Sequence, residues 1–366
     1  MTFSFGKEFR IHVYGESHGE GIGVVVEGVP PGLNMDEEMI QQELDKRRPG
    51  GSEITSSRSE QDQVSIHSGM FNGKSTGAPI TLSISNKDVD SSSYEVIRHT
   101  PRPGHADYTA RVKFEGYNDY RGGGTFSGRM TAAFVMAGAL AKSILKEHGV
   151  MVLAHVVQIG QVSINEEVSD YEISKNVYEN PVRCAHADIV SEMTNEIAEA
   201  KADGDSVGGI VECRVLGVEP GIGEPLFDSV ESVISHAMFS IPGVKGVEFG
   251  SGFAGSLRRG SENNDSLILR EGKIDWAKND SGGILGGITN GAPIVFHVAL
   301  KPTPSISRAQ RTIDLEKMEE TSIQTKGRHD PSIVPRAVPV VEGLAAVVLV
   351  DLLMRASSLR LARSED

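Results

Sequence analysis

Gly15-Glu16-Ser17-His18-Gly19-Glu20-Gly21-Ile22-Gly23-Val24-Val25-Val26-Glu27-Gly28 is a glycine-framed turn running into a β-branched apolar run. Ile22 to Val26 reads as a strand, because β-branched residues flanked by glycines favour a short extended segment. The turn is not unique. Gly15-Glu16-Ser17-x-Gly19 with Gly28, Pro31 and Gly32 recurs as Gly204-Asp205-Ser206-x-Gly208 with Gly217, Pro220 and Gly221, at the same internal spacings. Downstream, Gly73 with Gly77-Ala78-Pro79-Ile80 recurs as Gly287 with Gly291-Ala292-Pro293-Ile294. Each half then ends in a long apolar stretch, Met130 to Leu145 and about Val340 to Arg363, both read as buried helices. Strands then helix, twice, predicts an internal duplication in an α+β fold with helices packed between two sheets. The expected organisation is one domain over 1–366, with pseudo-repeats at about 10–149 and 204–360 and a connecting segment at 150–203.

Other elements follow from local pattern. Asn34 to Lys46 reads as an amphipathic helix, capped by Asn34 with Glu37 at the capping-box distance, and stopped by Pro49-Gly50-Gly51. Ile80 to Ile84 alternates as a strand. Gly69-Met70-Phe71-Asn72-Gly73-Lys74-Ser75 is one residue short of a phosphate-binding P-loop, and Pro79 forbids the helix that such a loop needs.

Composition narrows the function. A formal net charge of -14 disfavours non-specific binding to nucleic acid. Cys184 and Cys213 make neither a disulfide framework nor a metal set, and eleven histidines show no zinc spacing, so no metal is expected. The first ten residues carry Lys7, Glu8 and Arg10 without an apolar signal core, and the apolar stretches are too short to span a membrane. A cytoplasmic protein with no membrane partner is the expectation.

Gly15 to Gly19 also matches the G-x-S-x-G nucleophile elbow, but its context is turn-to-strand rather than strand-to-helix, which argues against a serine hydrolase. Six segments gather cations around glycine or proline. They are His18 in its turn, Lys46-Arg47-Arg48-Pro49-Gly50-Gly51, and Arg98-His99-Thr100-Pro101-Arg102-Pro103-Gly104-His105-Ala106-Asp107. The others are Arg121-Gly122-Gly123-Gly124-Thr125-Phe126-Ser127-Gly128-Arg129, Lys301-Pro302-Thr303-Pro304-Ser305, and Lys326-Gly327-Arg328-His329-Asp330-Pro331. Taken singly each has a bland reading: a solvated histidine, or a helix dipole matched by cations. Together they describe a pocket for a small polyanion, with His18, His105 and Asp330 as titrating groups, histidine being the natural proton donor near pH 7. The residues alone leave open an enzyme or a non-catalytic binding protein.

Gly15 to Pro30, the Ser127-Gly128-Arg129 core, and Arg328-His329-Asp330-Pro331 with Glu342-Gly343-Leu344 resemble the three signatures of the chorismate synthase family. Arg47-Arg48-Pro49-Gly50, Arg102 to Asp107, Gly282 to Gly287 and Lys301 to Ser305 are similar as well, so the resemblance spans nearly the whole chain. It implies a homotetramer of β-α-β sandwich subunits, with central helices between antiparallel sheets. It also implies a trans-1,4 elimination of phosphate from 5-enolpyruvylshikimate 3-phosphate, dependent on reduced FMN. By the same resemblance His18, His105 and Asp330 are catalytic, and Arg47, Arg102, Ser127, Arg129 and Arg328 bind substrate. The flavin falls to Thr125, Phe126, Ser127, Gly286, Lys301, Pro302, Thr303, Pro304, Ser305 and Arg328. No reductase domain is visible, so an external flavin reductase is implied, with NADPH only an indirect source of electrons. Glu53, Thr125 and Phe126 depart from the residues many members carry.

Overall fold

The computed structural model describes residues 3–48, 62–87, 91, 94–325 and 329–359. Helix and sheet are mixed throughout. The first sheet contains β1 (Ser4–Phe5), β2 (Arg10–Gly15), β3 (Gly21–Glu27), β4 (Val64–Ile66) and β5 (Ile80–Ser85), in the order β1-β2-β3-β5-β4, all neighbours antiparallel. The second contains β6 (Met151–Ile159), β7 (Val162–Ser163), β8 (Gly209–Leu216), β9 (Val244–Phe249) and β10 (Ile294–Leu300). Its order is β9-β10-β8-β6-β7, again antiparallel. Ile22, Val24 and Val26 of β3 are fully buried, as are Ile80 and Leu82 of β5, so the period-two faces point to the core.

The two longest helices lie in the core. Helix α1 (Glu37–Arg47) packs on β4 and on α3 (Thr131–Glu147). Helix α3 touches β2, β3 and β5 of the first sheet and β6 of the second. Helix α2 (Asp107–Lys113) precedes it, and α4 (Asp170–Asn176), α5 (Val190–Ala202) and α6 (Val230–Met238) follow. The last helix, α7 (Val334–Leu359), lies along α3 and against β6 and β8. A stretch of α7 is long and apolar enough to cross a membrane, but it is the buried centre of this fold. Both cysteines are buried, and burial pushes the Cys184 thiol up to about 11.

Several boundaries differ from the sequence reading. The cap of α1 is Asp36, whose carboxylate accepts from Met39 N at 2.7 Å, while Asn34 pairs with Lys74 in a β-bridge. Helix α7 starts before Pro339, which stands little more than a turn inside it. A proline there removes one backbone bond, and core packing of the apolar helix offsets the loss. Gly69 to Ser75 folds as the hairpin Met70–Phe71/Lys74–Ser75. Residues 150–203 are more than a connector, since they supply β6, an interior strand of the second sheet.

The crossing of α3 and α7 depends on glycine. A Cβ on Gly138 would stand 2.3 Å from Gly343 Cα, whereas one on Gly343 would meet Phe134 O at 3.2 Å and other atoms at 3.5 Å. Alanine gains about 1 kcal/mol of helix propensity over glycine, but overpacking a core costs about 1–3 kcal/mol. Gly138→Ala is therefore expected to lower the denaturation midpoint clearly and Gly343→Ala to be near neutral. Equal effects in urea unfolding would contradict this crossing geometry.

Candidate functional site

A cleft of about 640 Å³ opens where the 102–106 loop, the 122–129 segment, the 239–245 segment, the 301–305 loop and the start of α7 meet. The 121–126 segment is a pair of 3-10 turns broken by a kink, in which Gly122, Gly123 and Gly124 all have positive φ. Positive φ is inexpensive only for glycine, and here it brings backbone against two imidazoles. A Cβ on Gly122 would lie 2.2 Å from His18 Cδ2, and one on Gly123 would lie 3.4 Å from His105 Cε1 and Nε2. Consecutive glycines thus thread between the histidines. Ser17 N donates to Gly124 O at 3.3 Å, which ties the first turn to this segment.

His18 does not itself line the cleft. It stands behind Gly122, edge-on to the ring of Tyr94 at 5.0 Å, with Nδ1 2.9 Å from Ser91 Oγ. Ser17 is buried in a turn between β2 and β3, so the hydrolase elbow does not form.

His105 lines the cleft within a charged network. Its Nδ1 is 2.6 Å from Asp107 Oδ1, and Arg102 grips both Asp107 oxygens through Nε and Nη2 at 2.8 Å each. Arg102 Nη1 donates to Ser305 Oγ at 2.9 Å, which joins this loop to the 301–305 loop. Burial alone would raise the Asp107 pKa, but Arg102 and His105 hold it well below the carboxylate range. Burial lowers the His105 pKa, Asp107 opposes that, and Arg102 and Lys301 reinforce it. Burial also lowers Lys301, and the neighbouring Lys245 ammonium adds to the effect. Cations are crowded here beyond what local carboxylates neutralise, and such a surface attracts anions.

On the opposite wall, Arg129 donates from Nη1 to Asp62 Oδ1 at 2.8 Å and from Nε to Asn86 Oδ1 at 2.6 Å. Ser127 caps the next turn by accepting from Arg129 N. At the start of α7, Asp330 is paired with Arg336 Nη1 at 2.5 Å, and Arg336 Nε donates to Arg47 O at 3.2 Å.

Of the residues singled out from sequence, His105, Arg102, Thr125, Phe126, Ser127, Arg129, Asp330 and Lys301 to Ser305 share this cleft. Arg47 and Gly286 do not line it. The Arg47 guanidinium is buried beneath the Gly128–Thr131 turn, donating to Thr131 Oγ1 and Gly128 O at 2.9 Å each and pairing with Asp62 at 3.3 Å. Gly286 turns the Ile284–Leu285/Ile288–Thr289 hairpin, which packs on the 224–230 segment. Arg328 and Glu53 lie outside the described residues. Sequence reading missed Tyr94, Asp62, Lys245 and Arg336. Each is a lone residue with no local pattern, so packing alone reveals it. No group of three or more His, Cys, Asp or Glu able to hold a metal occurs among the described residues.

A sequence model of the chorismate synthase family matches residues 9–354. The chain is 52% identical to the chorismate synthase of Korarchaeum cryptofilum over 354 residues, covering 96% of this chain and 97% of that one. It is 49% identical to that of Methanosarcina mazei over 351 residues, covering 96% of each. A crystal structure of chorismate synthase superposes with a TM-score of 0.75 at 30% identity, over 96% of this chain and 93% of that chain.

Proposed function

The chain belongs to the chorismate synthase family, and from that premise we propose that it is a carbon–oxygen lyase converting 5-enolpyruvylshikimate 3-phosphate to chorismate and phosphate, with reduced FMN as cofactor. The observation that carries the reading is the convergence of His105, Arg102, Arg129, Lys301 and Asp330 on one cleft from widely separated stretches of chain. The residues fit two anionic guests. Lys245, Lys301 and Arg129 supply positive charge, Thr125, Ser127 and Thr303 supply hydroxyls, and Phe126, Ile241 and Ile333 supply apolar wall for a flat ring. Reduced flavin, when bound, supplies electron density to the carbon framework as phosphate leaves and accepts the hydrogen lost from carbon-6.

The chain's own residues then move protons and hold charge. By its place in the family signature His18 gives a proton to the departing phosphate oxygen, acting from behind the Gly122 backbone beside the cleft. His105 holds a proton at flavin N1, and Asp330, paired with Arg336, relays the proton at N5. Arg102 and Arg129 orient the anionic substrate, each braced by a carboxylate (Asp107 or Asp62) that holds its guanidinium in place. Arg47 supports Arg129 from behind through their common partner Asp62.

The same reading extends to assembly and origin. The subunit is a β-α-β sandwich formed by duplication, supported by the matching orders β2-β3-β5-β4 and β6-β8-β10-β9 in the two sheets. On that basis the second repeat starts near Met151. A homotetramer is supported by highly exposed apolar side chains, Leu226 at 81%, Phe227 at 92% and Phe253 at 80%. The enzyme acts in the cytoplasm on FMN reduced by a separate reductase, with NADPH only the upstream donor.

Anaerobic assay tests the central claim. Phosphate release from 5-enolpyruvylshikimate 3-phosphate is expected with reduced FMN and not with oxidised FMN or without flavin. Equal release in the three conditions refutes a flavin-dependent elimination.

A further inference from the structure

His105 is gripped on one side more firmly than proton exchange alone requires. Asp107 Oδ1 lies 2.6 Å from Nδ1, in line with a charge-assisted hydrogen bond. Arg102 Nη2 is 3.1 Å from Nδ1 and 3.2 Å from Nε2. The two ring lone pairs diverge, so an atom equidistant from both nitrogens lies along neither. The other ring edge, Cε1 and Nε2, faces the Gly123 backbone. The charged groups facing the ring are therefore Asp107 and Arg102 from its own loop and Lys301 from the loop opposite.

We propose that Asp107 is the positioning residue of His105: its carboxylate, held by Arg102, accepts a hydrogen bond from Nδ1–H, fixes the ring's orientation and leaves Nε2 to carry the transferable proton. In the proton-bearing state both nitrogens are protonated. Nε2 gives up its proton and the ring remains as the neutral Nδ1–H tautomer, with no net change at Asp107. The carboxylate also offsets the two cations and the burial that disfavour an imidazolium here. This inference rests on the proposed role of His105, and its test separates the two.

In ligand-free enzyme labelled with 13C-histidine, the His105 ring resonance is identified by its loss in His105→Ala. Asp107→Asn is expected to lower its titration midpoint by about one pH unit, and Asp107→Glu to return it toward the wild-type value. In turnover with substrate and reduced FMN, Asp107→Asn is expected to lower kcat by about 10- to 100-fold, and to raise KM as well because Arg102 loses its brace. It also shifts the alkaline limb of the pH profile downward. Placed on His105→Ala, it adds no further loss of kcat, because a residue acting through another is silent once that other is gone, while the rise in KM through Arg102 remains. Asp107→Ser, which also suits a helix start, is read the same way if Asp107→Asn does not fold. An unchanged ring midpoint, or equal kcat losses with and without His105, overturns the proposal. Full turnover by His105→Ala alone removes the catalytic role of His105, while the ring titration still decides whether Asp107 positions it.

Discussion

Replacing His105 by alanine is expected to lower kcat by about 10²- to 10⁴-fold, the range over which a positioned acid or base contributes, with substrate affinity largely kept. His18→Ala is expected to do the same. Neither side chain is an anchor for substrate charge in this arrangement; Arg102, Arg129, Lys245 and Lys301 supply the positive surface. Binding therefore survives while proton delivery does not. Isothermal titration with substrate and an anaerobic progress curve measure the two separately. Loss of affinity in step with turnover would make the histidines anchors instead of acids.

The same histidine gives the ligand-free enzyme a signed pH dependence. Burial first, then Arg102 and Lys301, hold the folded-state pKa of His105 below its usual value, against the pull of Asp107. The unfolded chain takes up this proton near about pH 6.5, and the folded chain only at lower pH. Between those points the unfolded state binds more protons, so stability falls as pH drops through the window. The contribution is present above the unfolded pKa and is fully lost below the folded one. His105→Gln removes that component, so its denaturation midpoint falls less than the wild type's on going from about pH 7.5 to about pH 5.

Asp62→Ala is the second large expected effect. Asp62 is 1% exposed, with Oδ2 on Arg47 and Oδ1 on Arg129. Removing one partner of a buried ion pair costs about 3–5 kcal/mol, far above the roughly 0–1 kcal/mol of a surface pair. Here one carboxylate serves two guanidiniums. Arg129 also loses the anchor that orients it toward the cleft, so KM for the anionic substrate should rise even where the protein stays folded. Urea denaturation and steady-state kinetics read the two effects. A stability change within about 0.5 kcal/mol, the scale of ordinary surface substitutions, would show that Asp62 does not brace the pair.

Some of this was legible in the chain and some was not. The glycine-framed turn at Gly15 to Gly19, the strand after it, the strand at Ile80 and the apolar helix after Arg129 are local facts, written in periodicity and turn chemistry. The repeat of the glycine frame suggested a duplication, but gave no sign of the strand that opens the second sheet at Met151. That strand carries no copy of the glycine signature, and only its pairing with β8 places it.

By itself the sequence determined the kind of elements, their order and the set of residues able to handle a polyanion, because these depend on contacts a few residues apart. The tertiary structure alone decided which of them meet. It buried Arg47 under a turn, set Gly122 against His18 and Gly123 against His105, and paired Arg102 with Asp107 and Arg129 with Asp62. Those outcomes depend on how two sheets and two long helices pack together. Packing joins Arg129 with Asn86, 43 positions away, and Arg102 with Ser305, 203 positions away, and no local pattern encodes such a distance.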